Sequence, residues 1–190
     1  KSYFGNINNY KKLNSSIKDY APDILIHMAA QSLVVESYKD PKNTFKTNVL
    51  GTLNVIESIK NNTSVKVFLN VTSDKCYLNA NEGKKFDEMD SLGGLDPYGA
   101  SKACSEILHN AYMHSFFLER INELDFGAAT ARSGNVIGGG DWSYNRLIPD
   151  LVRSVQSGEH IDIRYPNATR PWQHVLDSLF GYLILIQNLY

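Results

Sequence analysis

Short apolar runs alternate with stretches of helical periodicity along this chain. Residues 23–30, Asp-Ile-Leu-Ile-His-Met-Ala-Ala, form a continuous apolar run between Pro22 and the polar Gln31-Ser32. Such a run predicts a strand buried on both faces. In residues 43–60 the apolar positions Phe45, Val49, Leu53, Ile56 and Ile59 recur at helical spacing. Val65–Val71, rich in β-branched residues, predicts a second strand, a helix runs from Tyr98 to about Leu118, and Gly127–Ser133 fits a third strand. From Gly138 onward the texture changes to Gly-rich turns, a helix over 147–155, a short β-like run at 161–164 and an amphipathic helix over 176–189.

Strand, helix, strand, helix, strand at these lengths predicts a parallel sheet covered by helices, with a smaller lobe beginning near Gly138. Ligands of open parallel sheets sit beyond the carboxyl ends of the strands. Three polar clusters stand there: Gln31-Ser32, Thr72-Ser73-Asp74-Lys75, and the 135–140 stretch, taken as a tight loop.

Composition narrows the partners. The 19 basic and 20 acidic residues nearly cancel, and no long run of either sign occurs. There is thus no electrostatic reason to expect nucleic acid or a membrane surface, and small molecules or other protein chains are the expected partners. Cys76 and Cys104 are too few for a disulfide framework, which favours free thiols in a reducing cytoplasm and supplies no metal site. The chain opens Lys-Ser-Tyr-Phe-Gly-Asn, without an initiator methionine or a signal-peptide pattern, and reads as a fragment.

Asp96-Pro97-Tyr98-Gly99-Ala100-Ser101-Lys102 looks like a helix entry carrying a tyrosine and a lysine on one face. An ammonium there can favour the phenolate of a group that ordinarily titrates at about 10. The same spacing also makes ordinary surface pairs. Tyr38 and Lys42 repeat it, but Pro41 between them argues against a continuous turn. Ser73-Asp74-Lys75 is a solvated turn or a cluster of hydroxyl, acid and amine aimed at a ligand. His27, inside the first apolar run, is expected to be a buried histidine with a satisfied hydrogen bond, and both cysteines small semi-buried residues. Gly138-Gly139-Gly140 does not fit G-x-G-x-x-G, and no such fingerprint occurs in the chain. Arg132, Arg146, Arg164 and Arg170 flank the polar loops, and arginine suits phosphate.

Taken in order, these segments together with His27-Met-Ala-Ala-Gln-Ser-Leu-Val, Thr47-Asn-Val-Leu-Gly-Thr, Arg132-Ser-Gly-Asn-Val-Ile-Gly-Gly-Gly-Asp-Trp, Arg146-Leu-Ile-Pro-Asp and Ala168-Thr-Arg-Pro-Trp-Gln-His-Val complete a pattern. It resembles the extended short-chain dehydrogenase/reductase superfamily and, within it, the nucleotide-sugar 4,6-dehydratases, most of all their CDP-glucose branch. The resemblance implies an α/β fold, a Rossmann-like parallel sheet with helices on both faces whose N-terminal strands and Gly-rich turn lie outside the chain. Residues 1–137 would be the NAD-binding domain and 138–190 part of a nucleotide-sugar-binding lobe. It further implies that Asn6 (where the family usually has an acid), Ile7, Ala29, Ala30, Ser32, Thr47, Tyr98, Lys102 and Val136 line NAD. Asn135, Arg146, Leu147 and Arg170 would hold the nucleotide sugar. A homo-oligomer, dimer or tetramer, would form through helices that include the Tyr98 helix.

By the same resemblance Tyr98, supported by Lys102, takes the proton of the sugar 4-hydroxyl, and Ser73 binds the 4-oxygen. Asp74 serves as acid and Lys75 as base in eliminating water across C5–C6. Those roles need a neutral lysine and a protonated aspartic acid, hence a closed, water-poor site. The product from CDP-glucose would be CDP-4-keto-6-deoxyglucose. An epimerase or decarboxylase of the superfamily would keep Tyr98 and Lys102 without needing Asp74 and Lys75. A non-catalytic NAD-binding regulator would often lack the tyrosine.

Overall fold

Three parallel strands carry the polar clusters at their carboxyl ends. In the computed structural model, which describes residues 2–79, 83–123, 125–161, 163 and 165–190, these are β1 (Ile24–His27), β2 (Val67–Val71) and β3 (Gly127–Ala131). Their order is β1-β2-β3, with Ile24 beside Val67 and Leu69 beside Ala129. β2 is central and sends alternate side chains to opposite faces. Phe68 points into a cluster with Ile17, Val55, Ile56, Ile59, Met113 and Phe117. These come from α1 (Tyr10–Tyr20), α4 (Gly51–Lys60), α5 (Pro97–Phe116) and the residue after it. Val67 and Leu69 meet Ala131 and Ile186, the latter on the C-terminal helix. Each fully buried side chain of this size contributes about 1.5–3 kcal/mol by leaving water.

The expectation that the first strand is buried on both faces fails, for a geometric reason. β1 is an edge strand, and Ile24 and Ile26, each 41% exposed, share the face of Val67 and Leu69. The C-terminal helix packs mainly on β2 and β3. On the other face Leu25 joins the larger cluster.

The helical periodicity of 43–60 resolves into three pieces. Asp40 caps α3 (Pro41–Phe45), accepting from Asn43 N at 2.9 Å; a π-helical turn follows over Lys46–Leu50, then α4. The break before Pro41 also separates Tyr38, on α2 (Val34–Lys39), from Lys42. α1 has no counterpart in the sequence expectations, although Asn9 caps it by accepting from Lys12 N and Leu13 and Ile17 face inward.

A short helix, α6 (Leu118–Asn122), follows α5. After β3, residues 135–137 are a strand rather than a loop: β4 (Asn135–Ile137) pairs in parallel with β5 (Trp172–His174). Between them lies α7 (Leu147–Ser157), which ends at Gly158 in the left-handed region, φ 69°. The run expected at 161–164 includes Asp162 and Arg164, which lie outside the described residues. α8 (Val175–Leu189) is the C-terminal helix that returns to the main sheet. Among the described residues no helix is long and apolar enough to cross a membrane.

Candidate active site

β2 ends at Val71, and the chain turns at once into a 3-10 turn over Asp74–Cys76. Ser73 caps that turn: its Oγ accepts from Lys75 N at 3.2 Å and donates to Asp74 Oδ1 at 3.2 Å. The backbone of Thr72 and Asp74 is tied to β3 and its continuation, by bonds to the carbonyls of Ala131 (2.8 Å) and Ser133 (3.1 Å). Asp74 and Lys75 are therefore on a turn rather than on opposite faces of a strand, and Lys75 Nζ lies 4.0 Å from Asp74 Oδ2. Both side chains remain partly open to solvent.

The N-terminus of α5 is pressed against this turn. Asp96 caps the helix, its Oδ1 accepting from Gly99 N at 2.9 Å, with Pro97 at the first position. A Cβ on Gly99 would stand 2.7 Å from the Lys75 carbonyl oxygen, and one on Gly94 only 2.0 Å from the Gly99 carbonyl carbon. Side chains at these positions would prop the helix off the turn. The closeness places Tyr98, 9% exposed, where Ser73 and Asp74 of the turn act on its phenol.

One turn further on, Lys102 is 7% exposed and its ammonium donates to the Val71 carbonyl at 3.1 Å. Burial lowers its pKa to about 8, against the charge of Glu106, which raises it. The Tyr98 phenol is pushed above its ordinary value, first by burial and then by Asp74 and Asp96, while the Ser73 hydrogen bond and Arg146 pull it down. The sequence expectation of a phenol lowered by its lysine neighbour is thus not met: burial dominates, and what lowers the phenol comes from Ser73 and Arg146 rather than from Lys102.

A polar seam that sequence reasoning did not single out supports the site. Asn48, on the π turn, accepts from Gln31 N (2.8 Å) and donates to Gln31 O (3.0 Å) and to Ser101 Oγ (2.9 Å). Gln31 Nε2 donates to Thr44 Oγ1 at 2.9 Å. Thr52 Oγ1 donates to Asn48 O at 2.7 Å, which leaves it to accept from His27 Nε2 at 3.0 Å. His27 is the satisfied buried histidine expected, its pKa lowered to about 4 by burial and by Lys102. Behind Lys102, Glu106 is bound by Arg132, Thr72 and Thr130. The sequence signal for the seam was only that His27, Gln31, Asn48, Thr52 and Ser101 stood in motif segments.

The other candidate residues fall into two groups. Ala29, exposed, and Ala30, half-buried, follow β1, Ser32 is exposed beside them, and Thr47 is half-buried on the π turn. Arg146, just before α7, bridges Asp141 Oδ2 (2.9 Å) and Ser32 Oγ (3.1 Å), joining the lobe side to the strand ends. Asn135 and Val136 lie on β4, beside Trp172 and Gln173. Leu147 is exposed at the start of α7. The remaining candidates stand apart. Arg170 is exposed and bonds the Thr169 carbonyl. Asn6 accepts from Asn8 N, and Ile7 packs against Gly51 and gives its carbonyl to Asn54. Cys76 is buried with its thiol pushed up to about 12, chiefly by burial, and Cys104 is half-buried. Among the described residues no group of His, Cys, Asp and Glu could hold a metal.

The sequence matches the family described as GDP-mannose 4,6 dehydratase over residues 1–189. It is 45% identical over 190 residues to a CDP-glucose 4,6-dehydratase of Salmonella typhimurium, covering all of this chain and 53% of that protein. A UDP-glucose 4-epimerase of Mycoplasma genitalium is 31% identical over 157 residues, covering 80% of this chain and 45% of the relative. The chain thus spans about half the length of the curated relatives it matches. Among solved structures, a dTDP-glucose 4,6-dehydratase from Streptomyces venezuelae with NAD and TYD bound superposes with a TM-score of 0.83 at 24% identity, over 98% of this chain and 53% of that one.

Proposed function

The chain belongs to the GDP-mannose 4,6 dehydratase family, and we propose that its parent protein converts CDP-glucose to CDP-4-keto-6-deoxyglucose. The observation that carries this reading is the contact between the 73–76 turn and the start of α5, which gathers Ser73, Asp74, Lys75 and Tyr98 around one point. The 45% identity to a CDP-glucose 4,6-dehydratase supports the choice of nucleotide.

The proposed residue roles follow from that gathering. Tyr98 takes the proton of the sugar 4-hydroxyl while Ser73 holds the 4-oxygen. Oxidation at C4 acidifies the C5 hydrogen; Lys75 removes it, and Asp74 protonates the departing 6-hydroxyl so that water leaves. The dinucleotide NAD, when bound, supplies the acceptor that keeps the C4 hydride and returns it to C6. The small Ala29 and Ala30, with Ser32 and Thr47 at the strand ends, fit such a group, because nothing bulkier than a hydroxyl or methyl occupies those positions. Lys102 would help to hold it, and Asn6, Ile7 and Val136 would complete its contacts. Arg146, with Asn135, Leu147 and Arg170, would face the nucleotide sugar, residues 138–190 forming part of that lobe and 1–137 the cofactor domain.

Helix α5 exposes Ile107 and Phe116, which supports a homo-oligomer formed through it, and a cytoplasmic setting agrees with the free thiols. A 4-epimerase, suggested by the Mycoplasma relative, would leave Asp74 and Lys75 idle. The deciding experiment incubates the full-length protein with CDP-glucose and, separately, with dTDP-, UDP- and GDP-hexoses. Formation of a 4-keto-6-deoxy product fastest from CDP-glucose is expected. An epimerised sugar, or preference for another nucleotide, would overturn the assignment.

A further inference from the structure

Behind Tyr98 and Lys102 lies a carboxylate that the reaction as proposed does not use. Glu106 sits one helical turn beyond Lys102 on α5 and is fully buried. Its Oε1 accepts from the Thr72 hydroxyl and from Arg132 Nε at 2.9 Å. Its Oε2 accepts from Thr130 Oγ1 and Arg132 Nη2, each at 2.8 Å. Four donors from β2, β3 and the residues after them leave the carboxylate no freedom to turn away and favour its ionised form. Lys102, by contrast, is a buried ammonium whose hydrogen bond is to a neutral carbonyl.

We propose that Glu106 is a positioning residue: its fixed negative charge keeps Lys102 protonated beside Tyr98, while Arg132, Thr72 and Thr130 hold that carboxylate in place. The consequence for catalysis rests on the dehydratase reading; the electrostatic link does not. Glu106 on its own helix and Cys76 from the turn after β2 act on Lys102, which in turn acts on His27 from β1, while Asp74 after β2, Arg132 after β3 and Arg146 before α7 act on its neighbours Tyr98, Cys76 and Glu106. Burial drives the lysine down first, and Glu106 and Cys76 oppose it. Since the Cys76 thiol is pushed up to about 12, it is neutral at working pH, and Glu106 is left as the anion that acts. The Asp74 charge bears instead on Tyr98 and Cys76. His27, its pKa lowered to about 4, contributes no charge near neutrality.

The test uses full-length protein labelled with 13Cε-lysine, the Lys102 signal being assigned by its loss in Lys102→Ala. The titration midpoint of Lys102 is followed in the parent, in Glu106→Gln, in Arg132→Gln and in Glu106→Gln/Arg132→Gln. The double variant removes both charges and so leaves no buried ion unpaired, which keeps the test usable if the single variant does not fold. A fall in the midpoint of at least about half a pH unit is expected in folded Glu106→Gln against the parent, and in the double variant against Arg132→Gln. The alkaline limb of kcat should move down with it. A merely bracing Glu106 would lower activity at every pH and leave the midpoint where it was; an unchanged midpoint in folded Glu106→Gln, or in the double variant measured against Arg132→Gln so that the lost guanidinium is matched, overturns the proposal. Because the titration needs no substrate, failure to form a 4-keto product from CDP-glucose would count against the dehydratase reading alone.

Discussion

Replacing Arg132 by methionine should cost the protein about 3–5 kcal/mol at neutral pH, the range for a buried ion pair broken on one side. The guanidinium meets Glu106 twice, Nε to Oε1 at 2.9 Å and Nη2 to Oε2 at 2.8 Å. The two side chains are 14% and 1% exposed, so solvent screens the pair little. At about 1.5–3 kcal/mol for a hydrogen bond to a charged group, the two bonds bracket the same figure. The arginine also stacks over the Tyr77 ring at 4.8 Å, worth about 0.5–1 kcal/mol more. The pH dependence gives a second readout. Burial pushes the Glu106 carboxyl up, but hydrogen bonds from Arg132, Thr72 and Thr130 and the Arg132 charge outweigh it, so the folded pKa is depressed below 4.5. A depressed carboxylate contributes stability that is present above its unfolded pKa and lost as pH falls through the folded one. Without Arg132 burial gains the upper hand, the pKa rises, and acidification relieves the strain by neutralising the group. The gap between Arg132→Met and the parent should therefore be widest near neutrality and narrow as the pH drops below about 5. Urea unfolding of both proteins across that range measures it, with Glu106→Gln/Arg132→Met expected to recover much of the loss. A deficit under about 1 kcal/mol at pH 7, or one that does not shrink in acid, would refute the reasoning.

Two further outcomes are expected. Lys75→Met in the full-length protein should retain oxidation at C4 yet lower formation of the 4-keto-6-deoxy product by at least about 100-fold; product at the parent rate would remove Lys75 from the elimination. His27 and His109, each lowered from 6.5 to about 4 by burial, are neutral when folded. Their stabilising contribution is complete above 6.5 and lost as pH falls from 6.5 toward 4, at up to about 1.4 kcal/mol per pH unit for each. His109→Leu should flatten that slope in urea titrations, and an undiminished slope would show that His109 is not held neutral.

How much of this was legible in the sequence depends on how local the cause is. β2 and α5 follow from runs whose period is unambiguous, and the Asp96 cap with Pro97 marks the entry of α5 within a residue. Tyr98 and Lys102 share a face because four-residue spacing guarantees it. The 73–75 cluster emerged because polar residues directly after a buried strand have few other uses. β1 misled, since a continuous apolar run cannot say whether both of its faces will be covered. β4 and β5 were missed because each has three residues and exists only through pairing with the other, across more than thirty intervening positions. The lowered Tyr98 pKa expected from its lysine neighbour also failed, because burial, a property of the packed molecule, raises the phenol, while the Lys102 ammonium is bonded to the Val71 carbonyl.

The wide turn at Lys46–Leu50 acts as a phase corrector. Thr44, Asn48 and Thr52 are spaced by four, and in a regular α-helix, at 100° per residue, the third would stand about 80° around the axis from the first. A π-helical turn takes more residues per revolution and cancels much of that drift. The three side chains are all buried, and all reach the same neighbourhood: Thr44 holds the Gln31 side chain, Asn48 grips the Gln31 backbone and Ser101, and Thr52 meets His27 and Ser105. One surplus residue thus brings a spiral of polar groups closer to a row, two of whose members meet Ser101 and Ser105 on the helix that carries Tyr98. Deleting a single residue from 46–50 would restore an ordinary helix and swing the row out of line, a fault that no side-chain replacement in the segment could repair.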